Sequence, residues 1–305
     1  MKKYFFFLSL LLLLPALSVN GGQVSGTTDN NGRIISPDKP FNRIISLYSA
    51  HTENLCSLGA ENQIIGISTS DDYPSSILDR RRFSYREDVE KFIGARPDLV
   101  LVRPMIERSY PEFVKKLEQA GITVLSLQPG SVGELFHYWK TLGILTGRKK
   151  QAEKMVTSFQ EGLQSITEKV SAIPLESRPK VYFESIHSKM KTFSATSIAM
   201  YVLDLAGGAN IAKDAIQVRK TNIAAYGKER ILKHASEIDI YLAQKGRMNP
   251  ITIPTIVNEP GFKAIKAVME NRVYLVEESL VSRPTYRILE GVKKLNGIFY
   301  PTTQQ

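Results

Sequence analysis

The stretch "RKKQAEKMVTSFQEGLQSITEKVSAI", Arg148 to Ile173, is what most limits how this chain can fold. Met155, Phe159, Leu163, Ile166 and Val170 recur every three or four residues, which lays one apolar stripe along a helix. At about 1.5 Å per residue such a helix is a rod of roughly 39 Å. Pro174 and Pro179 bound it, since proline does not continue a helix interior. A rod with one long stripe needs packing partners along its whole length, and it acts as a rigid connector, unlike a Gly/Ser linker.

The flanks supply those partners. In "RIISLYSAHTENLCSLGA", Arg43 to Ala60, a short β-branched run hands over to a helical segment that stops at Gly59. "QIIGIS", "PDLVLV" and "TVLSL" read as buried strands. "SYPEFVKKLEQAG" reads as a helix, with Ser109 and Glu112 at capping-box spacing and Gly121 as the stop. Ser131 and Glu134 repeat that spacing and open a helix running toward Gly147. After the rod the pattern returns. "PKVYFESIH" ends in a histidine, as "NRIISLYSAH" does, and "EIDIYLAQKGR" matches "RPDLVLVR". "NRVYLVE" adds a strand and "PTYRILEGVKKLNGIFY" a closing helix. The pattern predicts an α/β fold: two similar α/β lobes over 33–147 and 174–305, joined by one long rigid α-helix over 148–173. In α/β sheets ligands sit at the carboxyl ends of strands, so a ligand cleft is expected between the lobes.

The amino terminus reads as an export signal. Lys2 and Lys3 precede an apolar core from Tyr4 to Leu14, followed by Pro15 and Ala16-Leu17-Ser18. That core is well short of the roughly 20 residues that span a bilayer. Residues 1–18 are therefore expected to leave as a signal peptide, with cleavage after Ser18. Residues 19–32, rich in Gly, Thr and Asn, are expected to be a flexible start. No cysteine stands near the cleavage point to take a lipid, so a periplasmic, unanchored protein is expected. The only cysteine, Cys56, excludes an intramolecular disulfide and reads as an inert buried thiol. The formal charge of +10 falls to +8 when Lys2 and Lys3 leave. Those charges are scattered along helices of an exported chain, which argues against a nucleic-acid partner and leaves a basic cleft for a small anion.

Taken in order, "RIISLYSAHTENLCSLGAENQIIGIS", "DDYP", "EKFIGARPDLVLV", "LEQAGITVLSL", "GGANIAKD" and "KERILKHASEIDIYLA" resemble the class III periplasmic binding proteins. These are the substrate receptors of ABC importers for cobalamin, ferric siderophores and haem. The likeness runs from about Arg33 to Pro301. It implies two lobes held by one long helix, a ligand between them, and as partner an ABC permease dimer with its ATPase. It also implies one surface glutamate per lobe that docks on permease arginines. The matching residues are Glu90 in "EKFIGARPD" and Glu229 in "KERILKHASEID".

Enzyme signatures are missing from the sequence: no Gly-x-Ser-x-Gly elbow, His-Glu-x-x-His pair, phosphate-binding loop or dinucleotide glycine fingerprint. Asp71-Asp72 reads first as a turn-forming pair. His137 and His234 read as structural or surface residues. His51 and His187 each follow the first strand of a lobe and are candidates for the cleft, though loop-capping hydrogen bonds would explain them equally. Two histidines are too few for a bare metal site, so no metal site and no intrinsic cofactor are expected. Arg103 and Arg247 end equivalent strands. Lys191, Arg219, Lys220 and Arg283 fall in loops of the second half, with Tyr48, Tyr73, Phe193 and Tyr286 as flat apolar faces near them. Guanidinium forks suit carboxylate, phosphate or catecholate oxygens, and large ligands want apolar walls. The expected function is thus a monomeric, non-enzymatic receptor for an iron chelate or corrinoid. Its rivals are a haem or metal-ion receptor, a metal-dependent hydrolase or chelatase using His51 and His187, and a sensor domain.

Overall fold

The computed structural model describes residues 26–219 and 221–301. The expected signal peptide over 1–18, residues 19–25, Lys220 and residues 302–305 lie outside these described residues.

Thr27–Thr28 (β1) and Ile34–Ile35 (β2) pair as a small antiparallel hairpin. The first lobe is a five-stranded parallel sheet of Ile44–Ser46 (β3), Ile64–Ser68 (β4), Arg81–Phe83 (β5), Leu99–Val102 (β6) and Thr123–Ser126 (β7), in spatial order β5-β4-β3-β6-β7. Its helices are Ser49–Ser57 (α1), Glu90–Ala95 (α2), Pro104–Ser109 (α3), Pro111–Gln119 (α4) and Val132–Leu145 (α5). The spine, Lys149–Ser171 (α6), follows as one unbroken helix of 23 residues.

The second lobe has Lys180–Ile186 (β8), Lys191–Phe193 (β9), Ile198–Leu205 (α7), Ala209–Asn210 (β10), Ile216–Gln217 (β11), Ile223–Ala225 (β12) and Lys228–Lys233 (α8). Ile240–Lys245 (β13), Ile253–Val257 (α9), Lys266–Met269 (α10), Val273–Glu277 (β14), Glu278–Val281 (α11) and Ile288–Phe299 (α12) complete it. Its sheet runs β11-β12-β9-β8-β13-β14, with β10 against the start of β8. Here β8, β13, β14 and β10 are parallel, while β9 and the β11–β12 hairpin run antiparallel. The lobes are alike in their parallel centre and differ at that edge.

The repeated acid–apolar–basic motif has a physical job at the strand starts. Asp98 Oδ1 and Oδ2 accept from the backbone N–H groups of Arg43 (2.9 Å) and Asn42 (2.8 Å), and the Asp98 N–H donates to the Arg43 carbonyl at 3.0 Å. Asp239 repeats this: its Oδ2 accepts from the Lys180 N–H at 2.8 Å and its N–H donates to the Lys180 carbonyl at 2.9 Å. Each motif therefore pins two adjacent parallel strands in register at the end away from the cleft.

The spine buries the expected stripe: Met155, Phe159, Leu163, Ile166 and Val170 are all in the core. One apolar cluster runs from Leu55 and Leu101 in the first lobe, through Trp139, Leu142 and Phe159, to Phe183, Leu203 and Val292 in the second. Two further clusters fill the other face of each sheet. Chains leave helices through left-handed glycines, Gly59 at φ 73° and Gly207 at φ 89°, a conformation costly for residues with a Cβ.

Three expectations need correction. The described part of the 19–32 segment is an ordered strap. Asp29, 6 % exposed, accepts from the N–H groups of Asn31 and Arg33 and from Arg33 Nε, and the Asn30 N–H donates to the Ser126 carbonyl. A side chain that closes its own turn orders a Gly/Asn-rich stretch that composition alone marks as loose. Ser109, expected to cap a helix, instead ends α3, because Pro111 takes the first turn of α4 and Tyr110 holds the cap position. Glu134 reaches back to the Gly130 N–H (2.8 Å), one residue short of a capping box at Ser131.

Candidate binding cleft

The carboxyl ends of β3, β4 and β6 face those of β8, β13 and β14, as the contacts below show. On the first lobe Tyr48 closes β3 and Arg103 follows β6, so parallel neighbours bring them together. The Arg103 guanidinium lies 5.0 Å above the Tyr48 ring, which favours it by cation–π attraction. No carboxylate pairs with Arg103 among the described residues. The loop after β4 is set by Asp71, 4 % exposed, which accepts from Thr52 Oγ1 at 2.7 Å and the Ser68 N–H at 3.0 Å. That leaves Asp72 and Tyr73 at the cleft mouth, with Tyr73 43 % exposed.

On the second lobe Arg247 is exposed just past β13, and Lys191 is half-buried at the start of β9 beside Ile186, the last residue of β8. Arg219 is exposed at the tip of the β11–β12 hairpin, next to Phe193 and Ser194 and not at the strand ends of β8. Lys220, also a candidate, lies outside the described residues.

Four candidates are not free to meet a ligand. His51 belongs to the first turn of α1 and is 0 % exposed. Its Nδ1 is 2.7 Å from Tyr138 Oη and its Nε2 3.1 Å from the Val102 carbonyl. A carbonyl only accepts, so Nε2 carries the proton and Nδ1 accepts from the tyrosine. Burial lowers its pKa to about 4, the Val102 carbonyl opposes this and the Arg103 charge adds to it. It is a neutral core residue, not a ligand contact. Phe193 is 1 % exposed and packs on Phe183 at 4.8 Å between ring centroids, which takes it out of the cleft. Tyr286 stacks on Trp139 and Phe159 at 6.4 and 6.0 Å, so it too is seam and not rim.

The fourth is Arg283. Its Nη1 meets Glu53 Oε1 at 2.5 Å and Asp72 Oδ1 at 2.9 Å, both on the opposite lobe. Burial alone would lower its pKa; the ion pairs with Asp72 and Glu53 outweigh that and raise it. Its charge is spent across the lobes and not left for a ligand.

His187, 7 % exposed in the turn after β8, gives Nδ1 to Glu184 Oε2 at 2.8 Å. Glu184 also accepts from Tyr241 Oη at 2.5 Å, and its other oxygen faces Asn249 Nδ2 at 3.4 Å. The Glu184 hydrogen bond raises the His187 pKa against its burial, with Glu259 adding to the rise. Asn249 Oδ1 in turn accepts the His187 N–H, so this buried hub ties the turn after β8 to the loop that carries Arg247. Sequence reasoning missed Glu184, Glu53 and Arg287; the one available signal was Glu184, an acid inside an otherwise apolar strand.

His51 and His187 sit in separate hydrogen-bond networks, and no group of three His, Cys, Asp or Glu among the described residues could hold a metal ion. Burial pushes the Cys56 thiol up to about 12, which leaves it without nucleophilic character. A groove of about 420 Å³ opens beside the lobe junction, between Ser131–Gly133 at the start of α5 and Ala195–Ser197 before α7. No described helix is long and apolar enough to cross a membrane.

Comparison with known proteins agrees with this architecture. Residues 44–280 match the periplasmic binding protein family. The chain is 28 % identical over 278 residues to the ABC transporter substrate-binding lipoprotein YvrC of Bacillus subtilis, covering 90 % of this chain and 85 % of that one. It is 24 % identical to a vitamin B12-binding protein of Vibrio cholerae, covering 84 % and 89 %. Among solved structures, a possible iron-binding periplasmic solute-binding protein from Staphylococcus epidermidis superposes with a TM-score of 0.73 at 30 % identity, covering 86 % of this chain and all of that one. A family match over most of the sequence and two lobes on one helical spine lead to the same conclusion: the chain belongs to the periplasmic binding protein family, among the substrate-binding proteins of ABC transporters.

Proposed function

We propose that this protein captures a metal-bearing organic ligand, a ferric siderophore or a corrinoid, outside the inner membrane and delivers it unchanged to an ABC permease. The observation that carries the reading is Arg103 stacked over Tyr48 at the strand ends of the first lobe, a cation with no described carboxylate partner, while Lys191 and Arg247 stand near the ends of β8 and β13 in the second. A guanidinium held on an aromatic face keeps its donor fork free for carboxylate or catecholate oxygens. Tyr73, in the loop after β4, keeps exposed aromatic surface although Arg287 lies over its ring. The vitamin B12-binding and possible iron-binding relatives support a ligand of this class.

Delivery would use Glu90 and Glu229. Each is exposed in the first turn of its helix, α2 or α8, and pairs with no cation among the described residues. Both helices start at the cleft-bearing edge, because β5 runs parallel to β4 and β12 ends beside the start of β9. The test is native mass spectrometry of protein purified from its own host, then titration with cyanocobalamin, a ferric hydroxamate and a ferric catecholate followed by ligand absorbance. One-to-one binding of one of them, released chemically intact, is expected. A chain that retains no metal-bearing ligand from its host and binds none of the three would overturn the reading.

A further inference from the structure

We propose that Glu53, Asp72 and Tyr73 of the first lobe and Arg283 and Arg287 of the second form a clasp that fixes the width of the cleft before any ligand arrives. The proposal does not depend on which ligand the cleft takes.

The two lobes are joined covalently only by α6, and a single helix leaves tilt and twist free about its two ends. The apolar core shared along α6 limits that freedom, and the loop between α11 and α12 adds a polar tie. Arg283 bridges Glu53 and Asp72, as described. The Pro284 carbonyl accepts from Asn54 Nδ2 at 2.9 Å and from Trp139 Nε1 at 3.4 Å. The Arg287 guanidinium lies 4.1 Å from the centre of the Tyr73 ring, and its Nη1 is 3.6 Å from Glu53 Oε2. These contacts sit on the cleft side, so spine and clasp are two ties and together define one lobe angle. The loop itself is held tightly, since α12 crosses α11 so closely that a Cβ on Gly291 would overlap the Leu280 carbonyl oxygen.

The clasp has a dry half and a wet half. Glu53 is 2 % exposed and Asn54 0 %, whereas the Asp72 side chain is 65 % exposed. The inner pairs lie where water cannot compete and are not screened; the outer ones are exchangeable. Glu53 Oε2 is buried without a hydrogen-bond partner, and Arg287 Nη1 lies 3.6 Å from it. Moving Tyr73 off Arg287 would let that arginine close on Glu53, so the cleft-mouth aromatic and the inner acid compete for one guanidinium.

The test uses spin labels on Lys115→Cys and Met269→Cys, one on each lobe, in a Cys56→Ala background, with the interlobe distance distribution measured by pulsed electron paramagnetic resonance. The unaltered clasp is expected to give one narrow distribution. Glu53→Gln with Arg283→Met, which removes the buried pair without leaving a lone charge, is expected to broaden it at least twofold and to shift emission of Trp139, the sole tryptophan. A distribution as narrow as that of the unaltered protein in the folded double variant would overturn the clasp. If that variant does not fold, Asp72→Asn with Arg287→Gln leaves Glu53–Arg283 in place and decides the matter: broadening sustains the clasp, and the original width refutes it.

Discussion

Acidification should destabilise this fold through His51. The imidazole is fully buried and neutral, with both nitrogens committed. Protonating it would turn Nδ1 into a donor facing the Tyr138 hydroxyl, beside the Arg103 charge. The unfolded chain takes up that proton near 6.5, the folded chain only at about 4. Below 6.5 the unfolded state therefore binds more protons, so stability falls with pH and the loss is complete once pH is below about 4. Carried over that interval, the cost is about 3 kcal/mol at about 1.36 kcal/mol per pH unit. Other groups titrate there too, and His187, whose pKa is raised, acts with the opposite sign: it stabilises below 6.5 and loses this as pH rises through its folded value. The comparison must therefore be with His51→Gln, whose amide can donate to the Val102 carbonyl and accept from Tyr138 without titrating. Urea unfolding of both proteins between pH 7.5 and pH 4, as chosen conditions spanning roughly that window, should show the unaltered protein losing about 3 kcal/mol more than the variant. Parallel pH profiles, or a His51 imidazole that titrates in nuclear magnetic resonance near its ordinary value, would refute the reasoning.

Phe159→Ala removes the ring where Phe136, Trp139 and Tyr286 meet on the spine, and should cost about 3–5 kcal/mol in chemical unfolding. Gly291→Ala places a methyl against the Leu280 backbone and should lower the thermal midpoint, by the equivalent of about 1–3 kcal/mol or more. Arg103→Ala should weaken binding of an anionic ligand by about 1–3 kcal/mol in calorimetry, and unchanged affinity would favour a neutral corrinoid. Glu90→Ala with Glu229→Ala should leave ligand binding and stability near normal but abolish stimulated uptake in reconstituted vesicles; uptake at the normal rate would reduce both to helix-start charges, worth about 0.3–1 kcal/mol each.

What the sequence made legible is what local physics decides. Short β-branched runs became β3, β4, β6 and β8, glycines ended α1, α4 and α7, and the stripe from Met155 to Val170 became the buried face of the spine. What stayed hidden was the direction of side chains at strand–helix turns. His51 and Tyr48 are three residues apart at one turn. Tyr48, the helix cap, stays at the cleft; His51, in the first turn, swings under the sheet toward Val102 and Tyr138. No periodicity separates those outcomes, because both depend on a helix packed from elsewhere in the chain. The Arg283–Glu53 pair joins residues 230 positions apart, a distance over which pattern carries no information. Asp29 was the readable exception: an Asp followed by Asn-Asn-Gly is a turn signal, and weighing it above composition would have found the strap.

Under the proposed function, the hidden part is also where ligand choice would lie. The scaffold repeats itself: Asp98 and Asp239 make the same bracket at the strand starts of both lobes. The other ends do not repeat. One lobe offers Tyr48 with Arg103, the other Lys191 with Arg247, and Arg283 is neutralised by Glu53 and Asp72. Distant relatives can therefore share the bracket, the spine and the mode of delivery while differing in every cleft contact. The sequence set five strand-end or loop cations of the second half beside Arg103; of these six, Arg283 is paired with Glu53 and Asp72, Lys220 lies outside the described residues, and Arg219 sits at a hairpin tip, which leaves Arg103, Lys191 and Arg247 near strand ends with no described carboxylate partner. Under the proposed function, a ligand that met these three cations would carry few negative charges placed far apart, and charge placement on bound ligands is what titration against hydroxamate and catecholate chelates would read.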